Sequence, residues 1–288
     1  MAQSQVIYDP FAWNARQQSD ALDLFSLKGR TAVVTGAAGL LGRQHCRVLA
    51  DAGAVVAASD LDIERAERLA ADLGDGAFAS PMDVADPASV EHCRDAVLAQ
   101  TGRIDILINN AAINDKVEDP QTVLETSRFE NYPLAMWRRS LEVNVTGVFI
   151  CSQVIGSHMA EAGSGSIINI ASTYGIVAPN QSLYRSPDGE QSFFKSAAYP
   201  TTKGAVLAFT RFLAAYWGHA GVRVNAVSPG GVQDAEPNSF SEEYARRTPL
   251  GRMASADDYH GALLFLASDA SSYMTGANLV VDGGFTIW

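Results

Sequence analysis

A doubly wound α/β fold, with a parallel sheet and helices on both faces in three αβα layers, is predicted by three features of this chain. Short apolar runs alternate with helical stretches along nearly its whole length. Those runs are continuously apolar rather than alternating, as strands covered on both faces are. The first of them leads at once into a glycine-rich turn, "TGAAGLLG" at 35–42, and then a helix.

In chain order, "TAVVT" from Thr31 is a β-branched strand, and "LLGRQHCRVLADAG" has helical spacing closed by Gly53. "AVVAAS" is the next buried strand. "DIERAERLAADLG" is amphipathic, with Ile63, Ala66, Leu69, Ala70 and Leu73 on one face and charges on the other. Then come the strand "GAFASP", a helix over about 87–101 and the strand "IDILIN". A long helix over about 135–162, the strand "GSIINIAS", a helix over about 197–219 and "VRVNAVS" follow. A last helix near 256–267 precedes the terminal strand "ANLVVD". No Pro/Gly/Ser-rich linker, charge block or repeat divides the series, so one domain is expected over 28–288. Its 47% hydrophobic content supports a sizeable core.

A formal charge of -11 and a pI near 4.8 argue against a nucleic-acid surface or an anionic membrane as partner, because like charges repel on approach. Cys46, Cys93 and Cys151 form no CxxC pair and read as buried small side chains in a reducing compartment. The five histidines are scattered with no HxxxH pair, so no metal is expected. Residues 1–27 lack the basic-then-apolar pattern of a signal peptide, and no apolar run reaches membrane-spanning length, so a cytoplasmic protein is expected. With Tyr8, Phe11, Trp13, Leu22, Leu24 and Phe25, that leading segment reads as a docked arm.

In such a sheet the turn after the first strand lies at the carboxyl edge, where the next helix offers unpaired N–H groups to a pyrophosphate. Gly36, Gly39 and Gly42 let backbone come close there. The second strand ends in Asp60, whose carboxylate suits the two adenosine ribose hydroxyls and would repel a 2'-phosphate. Ala38, Gly39 and Leu61, where a cation for that phosphate would stand, are uncharged, so NAD is predicted over NADP. "YPTTK" places Tyr199 and Lys203 one helical turn apart on one face. "NIAS" ends a strand at Ser172, whose hydroxyl points toward the ligand crevice.

With these come "MDV" at 82–84, "NNAA" at 109–112, "VNVTG" at 143–147, "VNAVSPGG" at 224–231 and "TGANLVVDGG" at 275–284. In this order, over about residues 28–285, the chain resembles a short-chain dehydrogenase/reductase, a single-domain enzyme on a Rossmann fold. The resemblance implies catalytic roles for Asn144, Ser172, Tyr199 and Lys203. Tyr199 would exchange the substrate proton, Ser172 would steady the substrate oxygen, Lys203 would hold the nicotinamide ribose, and Asn144 would position a water behind Lys203. It implies a cofactor site of Gly36, Gly39, Leu40, Leu41, Asp60, Asp83, Val84, Asn109, Ala111, Tyr199, Lys203, Pro229, Gly230 and Val232. Of these, Asp83 and Val84 would hold adenine, and Asn109 would support the adenosine side. It also implies a homotetramer joined through the two long helices, with "GGFTIW" as a further contact.

Two departures bear on function. Leu40 stands where the shorter branch of the family has glycine, a spacing closer to sugar-nucleotide epimerases and dehydratases. The chain ends directly after "VVDGG", however, without the sugar-nucleotide domain, which favours a dehydrogenase. The link between Ser172 and Tyr199 is long for the family, and residues 173–198 are a candidate lid or substrate wall. Within it Tyr174, Asn180, Gln181, Tyr184 and Arg185 are candidates to bind a polar small-molecule substrate, with Arg185 the choice for an anion. The expectation is an NAD-dependent oxidoreductase of a secondary alcohol on a sugar, sugar acid or related compound. A sugar-nucleotide epimerase or dehydratase, and a 3-oxoacyl or ketone reductase, are the alternatives.

Overall fold

The computed structural model describes residues 20–114, 123–186, 188–234, 236 and 238–288. The expected arm therefore lies outside the described residues up to residue 19.

Thr31–Thr35 (β1) is buried along its whole length, as a continuously apolar central strand should be. It turns through the glycines into Leu40–Asp51 (α1), followed by Val55–Asp60 (β2) and Ile63–Leu73 (α2). Asp62 caps α2 by accepting from the Arg65 N–H, and Gly74 closes it. Ala77–Pro81 (β3) leads to Pro87–Thr101 (α3), which starts with an Asp86 cap and a proline in its first turn and stops at left-handed Gly102. Ile106–Asn109 (β4) and the short Val123–Ser127 (α4) come next.

Seven strands pair in the order β3-β2-β1-β4-β5-β6-β7, every pairing parallel. The later ones are Gly165–Ile170 (β5), Val222–Pro229 (β6) and Asn278–Val281 (β7). Edge strands β3 and β7 are the least buried, as their place requires. One core lies against α1 and the last helix, with Leu49, Ile106, Ile168 and Leu266 among its members. A second lies on the other face around Leu107, Ile155, Ile167 and Leu213. The order reverses between β1 and β4, opening the crevice at their carboxyl ends where ligands bind in this class.

The long helix expected at 135–162 is one helical path made of Leu134–Leu141 (α5), Gly147–Cys151 (α6) and Ser157–Glu161 (α7). Two π turns, Glu142–Thr146 and Ser152–Gly156, join these pieces. Ala198–Trp217 (α8) matches the expected helix closely. Ser239–Arg246 (α9) was not expected; Asn238 and Ser241 form a reciprocal capping box that starts it. His260–Ala267 (α10) begins four residues later than expected, because residues 256–259 form a turn. Among the described residues no helix is long and apolar enough to cross a membrane.

Candidate active site

Two adjoining cavities of about 420 Å3 each run along the carboxyl edge of the sheet and share Leu40, Leu41, Asn110, Ala112 and Ile113. The first is built from backbone. Gly36 has φ +62°, and a Cβ there would stand 2.8 Å from the Ala111 Cα. A Cβ on Gly42 would meet the Gly36 oxygen at 2.2 Å. The turn is thus a cradle that only glycine can form, with α1 starting directly behind it.

Asp60 lies at the far end of this cavity. Its Oδ2 accepts from the Ala38 N–H at 2.9 Å and its Oδ1 from the Asp62 N–H at 3.1 Å. The carboxylate therefore anchors the turn as well as facing the cavity. Asp83, Val84 and Ala111 line the same space. The cradle, the acidic strand end and the elongated double cavity fit a dinucleotide, whose pyrophosphate would rest on the turn and whose adenosine would lie toward Asp60 and Val84.

Arg65 joins this end of the cavity, where no cation was expected because Ala38, Gly39 and Leu61 are uncharged. Its guanidinium donates to the Ala38 carbonyl at 2.9 Å. One turn into α2, it reaches back over the strand end.

The placement of Asn109 departs from expectation. Its side chain is buried and donates to Asn169 Oδ1 at 2.8 Å and Ser152 Oγ at 3.1 Å, within the packed face of the sheet. Its neighbour Asn110 lines both cavities and holds the turn, donating to the carbonyls of Thr35 at 2.9 Å and Gly36 at 3.0 Å. Successive residues at a strand end point to opposite sides, so a one-residue step exchanges the two roles.

The second cavity brings the candidate catalytic residues together. Ser172 follows β5, and its Oγ accepts from the Tyr174 N–H at 3.1 Å. Tyr199 and Lys203 face it from the first turns of α8, and all three residues line the cavity. The Lys203 ammonium is buried, donates to the Ile170 carbonyl at 2.7 Å and lies 5.7 Å from the Tyr199 ring centre. Burial pulls Lys203 down to about 8 and pushes the Tyr199 phenol up, the latter opposed by a hydrogen bond from Ser172. Pro229, Gly230 and Val232 close the floor from the end of β6.

Asn144 sits in the first π turn. Its amide donates to the Ile113 carbonyl at 2.8 Å and to Thr202 Oγ1 at 3.2 Å, and accepts from the Ile113 N–H at 2.8 Å. It ties the segment after β4 to the residue preceding Lys203.

The long link forms a wall of the cavity, as one expectation had it, but only Tyr174 and Tyr184 of its five candidate residues line the space. Tyr174 and Tyr184 line the cavity and share a hydrogen bond of 3.2 Å between their hydroxyls. Tyr184 stacks on Phe240 of α9 at 5.4 Å. Tyr244, also from α9, accepts from the Gly231 N–H at 2.7 Å. Asn180 instead caps the short 3-10 turn Gln181–Tyr184, and Gln181 bonds the backbone of Lys195. Arg185 is exposed and pairs with Gln191 outside the cavity. The cation that the link does bring to the cavity is Lys195, four residues before Tyr199. Lys195, Asn114, Phe240 and Tyr244 had no motif to mark them; for α9, the Asn238-to-Ser241 cap before an amphipathic stretch was the available signal.

Comparison with known proteins agrees with this architecture. Residues 36–286 match a family profile described as enoyl-(acyl carrier protein) reductase. D-threitol dehydrogenase of Mycolicibacterium smegmatis is 39% identical, over 91% of this chain and 95% of that one. Galactitol 2-dehydrogenase (L-tagatose-forming) of Cereibacter sphaeroides is 35% identical, over 93% and 100%. A gluconate 5-dehydrogenase from Burkholderia cenocepacia, solved in complex with NADP and tartrate, superposes with a TM-score of 0.80 at 34% identity, over 93% of this chain and all of that one.

Proposed function

The chain belongs to the short-chain dehydrogenase/reductase family, and from that premise we propose that it is an NAD-dependent dehydrogenase of a secondary alcohol on a sugar-derived or polyol-like substrate. The observation that carries this reading is the convergence of Ser172, Tyr199 and Lys203 on one cavity that opens directly onto the glycine cradle. The relatives that act on threitol, galactitol and gluconate support the substrate class.

Tyr199 takes the proton from the substrate hydroxyl while Ser172 Oγ donates to the substrate oxygen and steadies its developing charge. When bound, the nicotinamide supplies the hydride acceptor for the carbinol carbon. A buried phenol resists ionisation, so positive charge is needed beside Tyr199; Lys203 provides it from one turn away. Lys203 would also hold the nicotinamide ribose, and Asn144, bonded to Thr202, would position the water behind it. Asp83 and Val84 would flank the adenine, with Asn110 rather than Asn109 beside it.

Asp60 favours NAD, because a carboxylate accepts from both ribose hydroxyls and repels a 2'-phosphate. A second reading, NADP, is favoured by one observation: Arg65 lines the same end of the cavity.

Exposed Phe149 on α6 and Phe212 and Tyr216 on α8 form an aromatic strip with Phe209, suited to burial against a second copy in a homotetramer. Light scattering that gave a concentration-independent monomer would reject that assembly. Three buried free thiols support a reducing compartment such as the cytoplasm.

The primary test is NADH absorbance while the protein and NAD meet a panel of polyols, sugars, sugar acids and simple secondary alcohols, with NADP in parallel. NADH formed from a carbohydrate-like alcohol is expected. Reduction of NADP alone would select the Arg65 reading, and conversion without net reduced cofactor would point to an epimerase.

A further inference from the structure

We propose that Tyr244 and Tyr259 are positioning residues for the cofactor: their hydroxyls clamp one peptide unit, the one joining Gly230 to Gly231, in the floor on which the nicotinamide is seated. This deepens the dehydrogenase reading, and rests on it, by giving two tyrosines outside the reacting set a task in that site.

The peptide is held at both of its polar ends. The Gly231 N–H donates to Tyr244 Oη at 2.7 Å, and Tyr259 Oη donates to the Gly230 carbonyl at 3.2 Å. Those two groups lie in one plane and point opposite ways, so bonds from both sides fix its rotation. The Gly230 N–H, donating to Val281 at 2.9 Å, and the Gly231 carbonyl, accepting from Ala254 at 2.9 Å, belong to the flanking peptides and leave that plane free to turn.

Nothing else in the floor would hold it. Both residues are glycine, with the widest backbone freedom, and a small cavity of about 110 Å3 adjoins them on the side of Leu250 and Val281. Side chains cannot stiffen the segment either: a Cβ on Gly230 would stand 2.9 Å from the Asp282 Cα, and one on Gly231 2.8 Å from Tyr244 Cζ.

The two tyrosines are themselves fixed. Both are buried. Tyr244 stacks on Phe285 with ring centres 4.4 Å apart and planes 6° from parallel. Tyr259 stands immediately before α10, next to Asp258, which accepts from the Ser255 N–H at 2.7 Å and from Arg252 at 2.8 Å. Burial pushes the Tyr244 phenol up to about 12, so its hydroxyl stays neutral.

With the pyrophosphate on the glycine turn and the adenosine toward Asp60, the nicotinamide half of the dinucleotide falls in the second cavity, which Gly230 and Gly231 line together with Tyr199 and Lys203. Tyr244 lines that cavity too, whereas Tyr259 reaches the peptide from outside it. An effect of Tyr259 on the cofactor therefore has to pass through the peptide.

The test compares NADH with ADP-ribose, which lacks the nicotinamide, so that no turnover is required. Affinities are measured by fluorescence and calorimetry for the full chain, Tyr244→Phe and Tyr259→Phe, each substitution removing one hydroxyl and keeping the ring. Tyr244→Phe should weaken NADH about five- to tenfold and Tyr259→Phe, with the longer bond, about three- to fivefold, while ADP-ribose changes less than twofold in both. Should NADPH bind more tightly than NADH, it is paired with 2'-phospho-ADP-ribose in the same comparison. In hydrogen exchange, peptides spanning 226–234 should lose one slowly exchanging amide in Tyr244→Phe. An equal loss of both ligands, no loss of either, an NADH loss confined to Tyr244→Phe, or unchanged exchange overturns the proposal. Failure of the parent reading is separate: an absence of reduced cofactor across the whole alcohol panel, with the nicotinamide-dependent loss intact in both variants, refutes the dehydrogenase assignment and keeps the clamp.

Discussion

The two halves of the cleft are made of different material. Around the adenosine end the site is main chain held by strand ends: the glycine cradle, the Asn110 bonds to Thr35 and Gly36, and Asp60 anchoring Ala38. Around the reacting end it is side chains from distant segments, with Tyr184 of the link stacked on Phe240 of α9 and Tyr244 holding Gly231. A backbone-built site constrains residue types at fixed spacing. A side-chain wall constrains only shape and charge, so many sequences satisfy it, and this is the half where relatives are free to differ in substrate.

The largest expected effect tests whether the chemistry depends on the fixed frame. Tyr199→Phe should lower turnover by about 10²- to 10⁴-fold and leave NADH affinity nearly unchanged, read by single-turnover absorbance and fluorescence titration. Undiminished turnover would remove Tyr199 from the mechanism.

At the adenosine end, Asp60→Ala should cut kcat/KM with NAD by roughly ten- to a hundredfold and raise the relative use of NADP. Arg65→Ala should act in the opposite sense, depressing NADP use while NAD changes little. If Asp60→Ala leaves the NAD preference intact, the carboxylate only anchors Ala38.

The scaffold beneath that end carries a pH dependence. His45 on α1 is buried, and among the described residues neither ring nitrogen has a hydrogen-bond partner. Burial, helped by His260, pulls its pKa from 6.5 down to about 3. Below pH 6.5 the unfolded chain therefore takes up a proton that the folded chain refuses, and stability falls. The loss is about 2 kcal/mol at pH 5 and nil above roughly pH 7.5. Denaturant titrations should show that slope, and His45→Leu should flatten it; an unchanged slope in the variant would assign the effect to other groups.

The smallest effect bears on the wall. Arg185→Ala should change kcat/KM by less than about twofold for any substrate, since an exposed pair of this kind contributes little. A large loss would return Arg185 to the substrate site and blur the contrast between the two halves.

Much of the adenosine half, and one pair at the reacting end, was legible in the chain. The glycine spacing, the acidic end of β2 and the Tyr199/Lys203 turn each follow from local rules, because one helix or one strand–turn unit fixes their geometry. Asn109 shows where such reading slips: its motif marks the right strand end, yet which of two adjacent asparagines faces the cleft depends on the pleat. Arg185 and Lys195 show a deeper limit. Both lie in the same link, and only its folded path decides which cation reaches the cavity.

By itself, then, the sequence determined the layered parallel sheet and the position of its crevice, since apolar periodicity and glycine stereochemistry act over a few residues, and its ordered motifs marked the candidate reacting groups. The tertiary structure alone decided that Arg65 bends back to the adenosine end, that α9 covers the reacting end, and that Gln181 sets Lys195 beside Tyr199. Those contacts join residues whose separation along the chain carries no regular spacing, and only packing brings them together.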